Sequence, residues 1–221
     1  MNSPMNRRAL WFFVLVAAAT LPPVRADAAT GGATISFRKV FKMSSPEFVE
    51  IKVSESGAAT CDIRQLDEES TPQPLEIGAP LVQRIFGLAG KLNNFSGINL
   101  EMHRRIANLG EKTFRYQRGA EMHSVTFNFT LDDSARQLLD IFEGLARQQT
   151  DLSDLQRAMR YDRLGVNDLV RQLDADYTRN LLPDPDRLLP ALDQVAADQR
   201  FIDIARDRAR ALATRIRASS K

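Results

Sequence analysis

Leu131-Asp132-Asp133-Ser134-Ala135-Arg136-Gln137-Leu138 opens a stretch that runs on to Met159-Arg160, and the reading of that stretch decides the fold. Leu131, Leu138, Leu145, Leu152 and Met159 recur every seven residues, with Ile141, Phe142 and Leu155 beside them. Residues seven apart on a helix lie nearly over one another, drifting by only about 20° per heptad, so the stripe predicts one long helix over 132–160 that buries a single side. Asp132 or Asp133 starts it. Either carboxylate can accept from the free amides of the first turn and suits the positive end of the helix dipole.

Directly upstream, Phe127 and Phe129 continue an alternating pattern into this helix. If Gly119-Ala120 is a two-residue turn with glycine first, then Arg118 faces Glu121, Tyr116 faces His123 and Phe114 faces Val125. Every large apolar side chain of that hairpin then falls on one face. Further back, Ile35 and Phe37 alternate with Ser36 and Arg38, Val49, Ile51 and Val53 with Glu50 and Lys52, and Ala59, Cys61 and Ile63 form a third set. Period-two alternation with one wet face predicts three more antiparallel strands. Ser44-Ser45-Pro46 turns the first into the second, and Glu55-Ser56-Gly57 turns the second into the third.

The segment 67–78, Asp-Glu-Glu-Ser-Thr-Pro-Gln-Pro-Leu-Glu-Ile-Gly, carries three consecutive acids and two prolines and is expected to be an exposed connection. Pro80 suits a first helical turn, where a missing amide donor costs nothing. Leu81, Val82, Ile85, Phe86, Leu88, Ala89 and Leu92 follow at helical spacing, and Asn93-Asn94 ends the helix. Residues 95–110 fit two patterns, since Ile98, Leu100 and Met102 alternate like a strand while Met102, Ile106 and Leu109 suit a helical turn. After Met159, Gly165 is expected to stop a helix and Asn167 to cap the next, whose stripe is Val166, Leu169, Val170, Leu173, Tyr177 and Leu181. Pro183-Asp184-Pro185 breaks that stripe. Two final helices carry Leu188, Leu189, Leu192 and Val195, then Phe201, Ile202, Ala205, Ala209, Leu212 and Ile216, and Pro190 marks the start of the first.

The N-terminus reads as an export signal. Arg7-Arg8, the apolar run Ala9 to Leu21, and Val24-Arg25-Ala26 make up a secretory signal peptide over residues 1–26, cleaved after Ala26 or Ala28. Its apolar core of about 13 residues is shorter than the roughly 20 that a spanning helix needs, so no transmembrane helix is expected in the mature chain. Removing Arg7, Arg8 and Arg25 from the 30 basic side chains leaves 27 against 28 acids, a net charge of −1. A neutral mature chain offers no overall cationic face for phosphates, so no nucleic acid partner is expected. Cys61 is the only cysteine, which excludes an internal disulfide, and its place beside Ala59 and Ile63 predicts a core thiol.

Motifs that carry chemistry are few. Ser36-Phe37-Arg38-Lys39 matches S-x-x-K, but on a strand the first and last of these point to opposite faces. His103 and His123 are the only histidines, so no pair of imidazoles at helical spacing is available, and no metal or cofactor is expected. Tyr116 and His123 are the candidates for a site assembled from distant residues. The acid pairs Asp132-Asp133, Asp140 with Glu143, and Asp174 with Asp176 are read as caps and solvated faces. Residues 200–221 carry a local charge of +5, and Arg206, Arg208, Arg210, Arg215 and Arg217 are the candidates for an anionic partner.

The expectation is an exported, soluble α+β protein: residues 27–33 as a mobile start, and 34–131 as a five-stranded, mainly antiparallel sheet with a crossover helix. Residues 132–218 then form a C-terminal helical bundle joined through one long helix. Its expected role is that of a noncatalytic binding or envelope-associated module with an unknown protein or an anionic envelope polymer as partner. The alternative is an exported hydrolase using Tyr116 and His123.

Overall fold

The computed structural model describes residues 32–102 and 106–219. The expected signal peptide (residues 1–26), residues 27–31 and His103 lie outside them. Strands β1 (Thr34–Val40), β2 (Phe48–Ser54), β3 (Ala58–Arg64), β4 (Gln73–Glu76), β5 (Glu111–Arg118) and β6 (Glu121–Phe127) form one open sheet in the order β4-β3-β2-β1-β5-β6. Every neighbouring pair is antiparallel. Five helices accompany it: α1 (Ala79–Lys91), α2 (Asp133–Tyr161), α3 (Val166–Thr178), α4 (Leu189–Ala197) and α5 (Asp203–Ser219).

The sheet has six strands where the sequence predicts five. The sixth, β4, lies inside the proline-rich segment expected to be a connection, pairing Leu75 with Ala59 and Pro74 with Thr60. A proline is tolerated there because β4 is an edge, and an edge residue can turn its missing donor outward. Leu75 and Ile77 are buried, so this short strand closes the end of the core.

The hairpin of β5 and β6 has the register that the Gly119 turn implies, with Arg118 opposite Glu121, Tyr116 opposite His123 and Phe114 opposite Val125. Gly119 has φ +58, a conformation that glycine adopts without penalty. One face of the sheet is covered by α1 and the first half of α2. There Phe37, Phe114, Phe127 and Phe142 pack with ring centroids 5.3 to 6.2 Å apart, and Phe95 stacks on Phe114 at 5.4 Å. The opposite face is polar, carrying Arg38, Glu50, Lys52, Thr113 and Arg115. Residues 96–102 adopt neither of the patterns that their spacing allowed. They run as irregular chain, with Leu100 buried and the Met102 amide donating to the Phe129 carbonyl at 3.0 Å.

Helix α2 is continuous for 29 residues. Asp132 caps it, accepting from the Ala135 amide at 2.8 Å. Leu138, Leu145 and Met159 are buried as the stripe requires, whereas Leu131 precedes the cap and is 60% exposed. The buried edge therefore begins at Ala135. Toward its N-terminus α2 joins the sheet core, and from Leu155 onward it joins a second core made with α3, α4 and α5. Asn167 does not cap α3. It lies within the first turn, and its side-chain oxygen accepts from the Arg208 guanidinium at 2.7 Å, while Gly165 occupies the cap position.

Candidate binding cleft at the middle of the long helix

Between its two apolar ends, α2 turns two polar residues inward. The buried positions run Leu138, Ile141, Phe142 and Leu145, then Gln148 and Asp151, then Leu155, Ala158 and Met159. Steps of three and four keep all of them on one side of a helix, so Gln148 and Asp151 stand where leucines would continue the stripe.

Gln148 is fully buried and bonded reciprocally to the backbone of one residue. Its side-chain amide donates to the Asp184 carbonyl, and the Asp184 amide donates back to its oxygen at 3.2 Å. The Asp184 carboxylate accepts from the Gly78 amide at 3.0 Å, at the start of α1. Two residues beyond Pro185, Arg187 donates to Gln149 at 2.7 Å. Burial lowers the pKa of this guanidinium. The proline-flanked segment thus straps α1 to the centre of α2. Gly144 permits the close approach, since a Cβ there would lie 2.6 Å from a Pro183 ring carbon.

Asp151 is satisfied on one side only. One carboxylate oxygen accepts from Gln172 of α3 at 3.3 Å, and the other is buried without a hydrogen-bond partner among the described residues. Burial pushes its pKa up to about 6, and the charges of Asp176 and Asp154 push the same way while Arg147 opposes them. Removing a carboxylate from water disfavours its charged form, and neighbouring acids add to that penalty.

Asp151 lines a cleft of about 360 Å³ between α2 and the covered face of the sheet. Phe37, Val49, Ile63 and Ala146 make its apolar lining, and Lys39, Glu143, Arg147 and Thr150 its polar one, with Ser45 and Pro46 of the β1–β2 connection at one side. Lys39 is tied to Glu143 at 2.7 Å. A second cavity of about 330 Å³ shares Ile63 and Thr150 and continues toward Cys61, Ser153 and Arg157. Cys61 is 2% exposed, and burial pushes its thiol up to about 12, so it is an inert part of this wall at neutral pH.

The residues singled out from sequence lie elsewhere. Tyr116 and His123 are cross-strand neighbours near the β6 edge. Tyr116 is buried, His123 contacts Glu121 at 3.0 Å, and neither lines the cleft. Ser36 and Lys39 point to opposite faces of β1, with Lys39 in the cleft. The five arginines of α5 all have partners within the fold. Arg206 and Arg210 pair along the helix with Asp203 and Asp207, Arg208 holds Asn167, Arg217 pairs with Asp193, and Arg215 pairs with Asp174 and lies over the Tyr177 ring. Among the described residues, no group of three or more His, Cys, Asp or Glu side chains is placed to hold a metal. No described helix is long and apolar enough to cross a membrane.

The cleft combines an apolar floor with a few convergent polar groups, which is the composition of small-molecule sites. Its two inward acids, Glu143 and Asp151, are eight residues apart on one helix, so their backbones are separated by about 12 Å along the axis. Glu143 is held by Lys39, so its carboxylate is engaged within the lining. No family model matches this chain, and no curated protein matches it.

Proposed function

We propose that this protein is an exported, noncatalytic binding module whose ligand enters the cleft over Val49, Ile63 and the polar centre of α2. In this reading the sheet with its crossover helix forms one wall. The long helix, with the C-terminal helices joined to it, forms the other. The observation that carries the reading is Asp151: a carboxylate 8% exposed, with one oxygen lacking a partner, on the lining of a cleft floored by apolar side chains. A buried, half-satisfied acid costs stability and persists where it serves a ligand. Export is read from residues 1–26, and the module is envelope-associated on that reading.

The test is a small-molecule screen read by two-dimensional amide NMR on the purified protein. Bound compounds are expected to shift the amides of Phe37, Val49, Ile63, Ala146 and Asp151 together. Shifts confined to the Tyr116 and His123 region, accompanied by turnover of ester or glycoside substrates, would favour the exported hydrolase instead.

A further inference from the structure

Two opposite charges line the cleft one helical turn apart without satisfying each other. Arg147 and Asp151 are i and i+4 on α2, the spacing at which such side chains are neighbours. Among the described residues Arg147 is exposed and makes no hydrogen bond or salt bridge, acting on Asp151 through its charge alone, and Asp151 keeps one oxygen without a hydrogen-bond partner. Lys39, the other cation of the lining, is engaged by Glu143. The lining therefore offers one cation without a salt bridge and one carboxylate short of a donor side by side, above a floor of Phe37, Val49 and Ile63.

We propose that the cleft binds a free α-amino acid with an apolar side chain, its ammonium on Asp151, its carboxylate on Arg147 and its side chain on the apolar floor. This rests on the binding reading of the cleft. An α-amino acid carries both charges on one carbon, which suits two groups a single turn apart. A dipeptide places its terminal charges one further residue apart, an added span of about 3.5 Å. The unpartnered oxygen is buried, so the carboxylate must turn toward the cleft for the ammonium to give it the donor it lacks, and the guanidinium can meet a carboxylate with two parallel hydrogen bonds. The aliphatic or aromatic side chain packs on Ile63, the half-buried part of the floor, with Phe37 and Val49 buried beneath.

Isothermal titration of the dialysed protein at pH 7.5 tests this with leucine, phenylalanine and methionine, alongside leucinamide, which lacks the carboxylate, 4-methylpentanoate, which lacks the ammonium, and leucyl-leucine. At least one of the free amino acids is expected to bind, at least tenfold more tightly than its one-ended analogues or the dipeptide. Asp151→Asn and Arg147→Gln are each expected to abolish that preference. Arg147 is on the surface, so its variant keeps the test intact should Asp151→Asn fold poorly. Equal affinity for one-ended analogues, an undiminished preference in Arg147→Gln, or no binding of any amino acid would overturn the proposal. If other compounds still shift the cleft amides by NMR, the binding cleft stands and only its ligand class fails. If nothing shifts them, both fail.

Discussion

Replacing Asp151 by asparagine should stabilise the protein at neutral pH and lose most of that gain in acid. Burial and the neighbouring acids lift this carboxyl from 3.8 to about 6 in the folded chain. Holding it ionised at pH 7.5 therefore costs the native state roughly 2 to 3 kcal/mol, at about 1.4 kcal/mol for each pH unit. The sign follows from proton linkage. Between pH 4 and 6 the folded protein holds a proton that the unfolded chain has released, so wild-type stability falls as pH rises through this window. Asparagine keeps the shape and an oxygen for the Gln172 amide, and it has no charge to bury. Urea titrations should give the variant an advantage of about 3 kcal/mol at pH 7.5 and roughly 1 kcal/mol at pH 4.5. An advantage independent of pH, or a variant less stable than wild type at pH 7.5, would refute the assignment of a destabilising buried charge to this position.

Three further outcomes follow from the packing. Phe142→Ala removes a fully buried ring stacked 5.4 Å from Phe37 and should cost about 3 to 5 kcal/mol in urea unfolding; a loss under 1 kcal/mol would mean that α2 is not closed onto the sheet. Gly144→Ala should lower stability by about 1 to 3 kcal/mol despite the better helix propensity of alanine, because the new methyl meets Pro183 and the Leu181 carbonyl. A gain in its melting temperature would place the strap elsewhere. Arg215→Gln with Arg217→Gln should leave retention on heparin unchanged, since both guanidiniums are engaged by Asp174 and Asp193; earlier elution would restore α5 as a surface for an anionic envelope polymer.

The parts of this fold legible in the sequence are those where local pattern and tertiary burial agree. Asp132 announces the start of α2 because a cap is a local hydrogen bond, and Gly119 sets the β5–β6 register because one positive φ fixes a two-residue turn. Strand β4 was hidden because prolines read as a connection, and only the placement of β3 beside it makes an edge available. Leu131 was misplaced because a heptad count does not see that the cap cuts it off. The cleft was the least legible feature. Gln148 and Asp151 look like surface residues of a soluble helix. Their signal was the 3.6-residue line through Leu145 and Leu155, on which both fall. Asp184, Arg187 and Gln172, which surround them, come from segments 21 to 38 residues away. No spacing rule connects them before the chain is folded.

The most direct measurement is the affinity of compounds found in the NMR screen for Thr150→Trp against wild type. Thr150 is an exposed position on α2 that lines both cavities, so an indole there fills the opening at little cost to the core. With far-UV circular dichroism unchanged, binding is predicted to weaken at least tenfold. Undiminished affinity in the blocked variant would contradict the assignment of the ligand to this cleft.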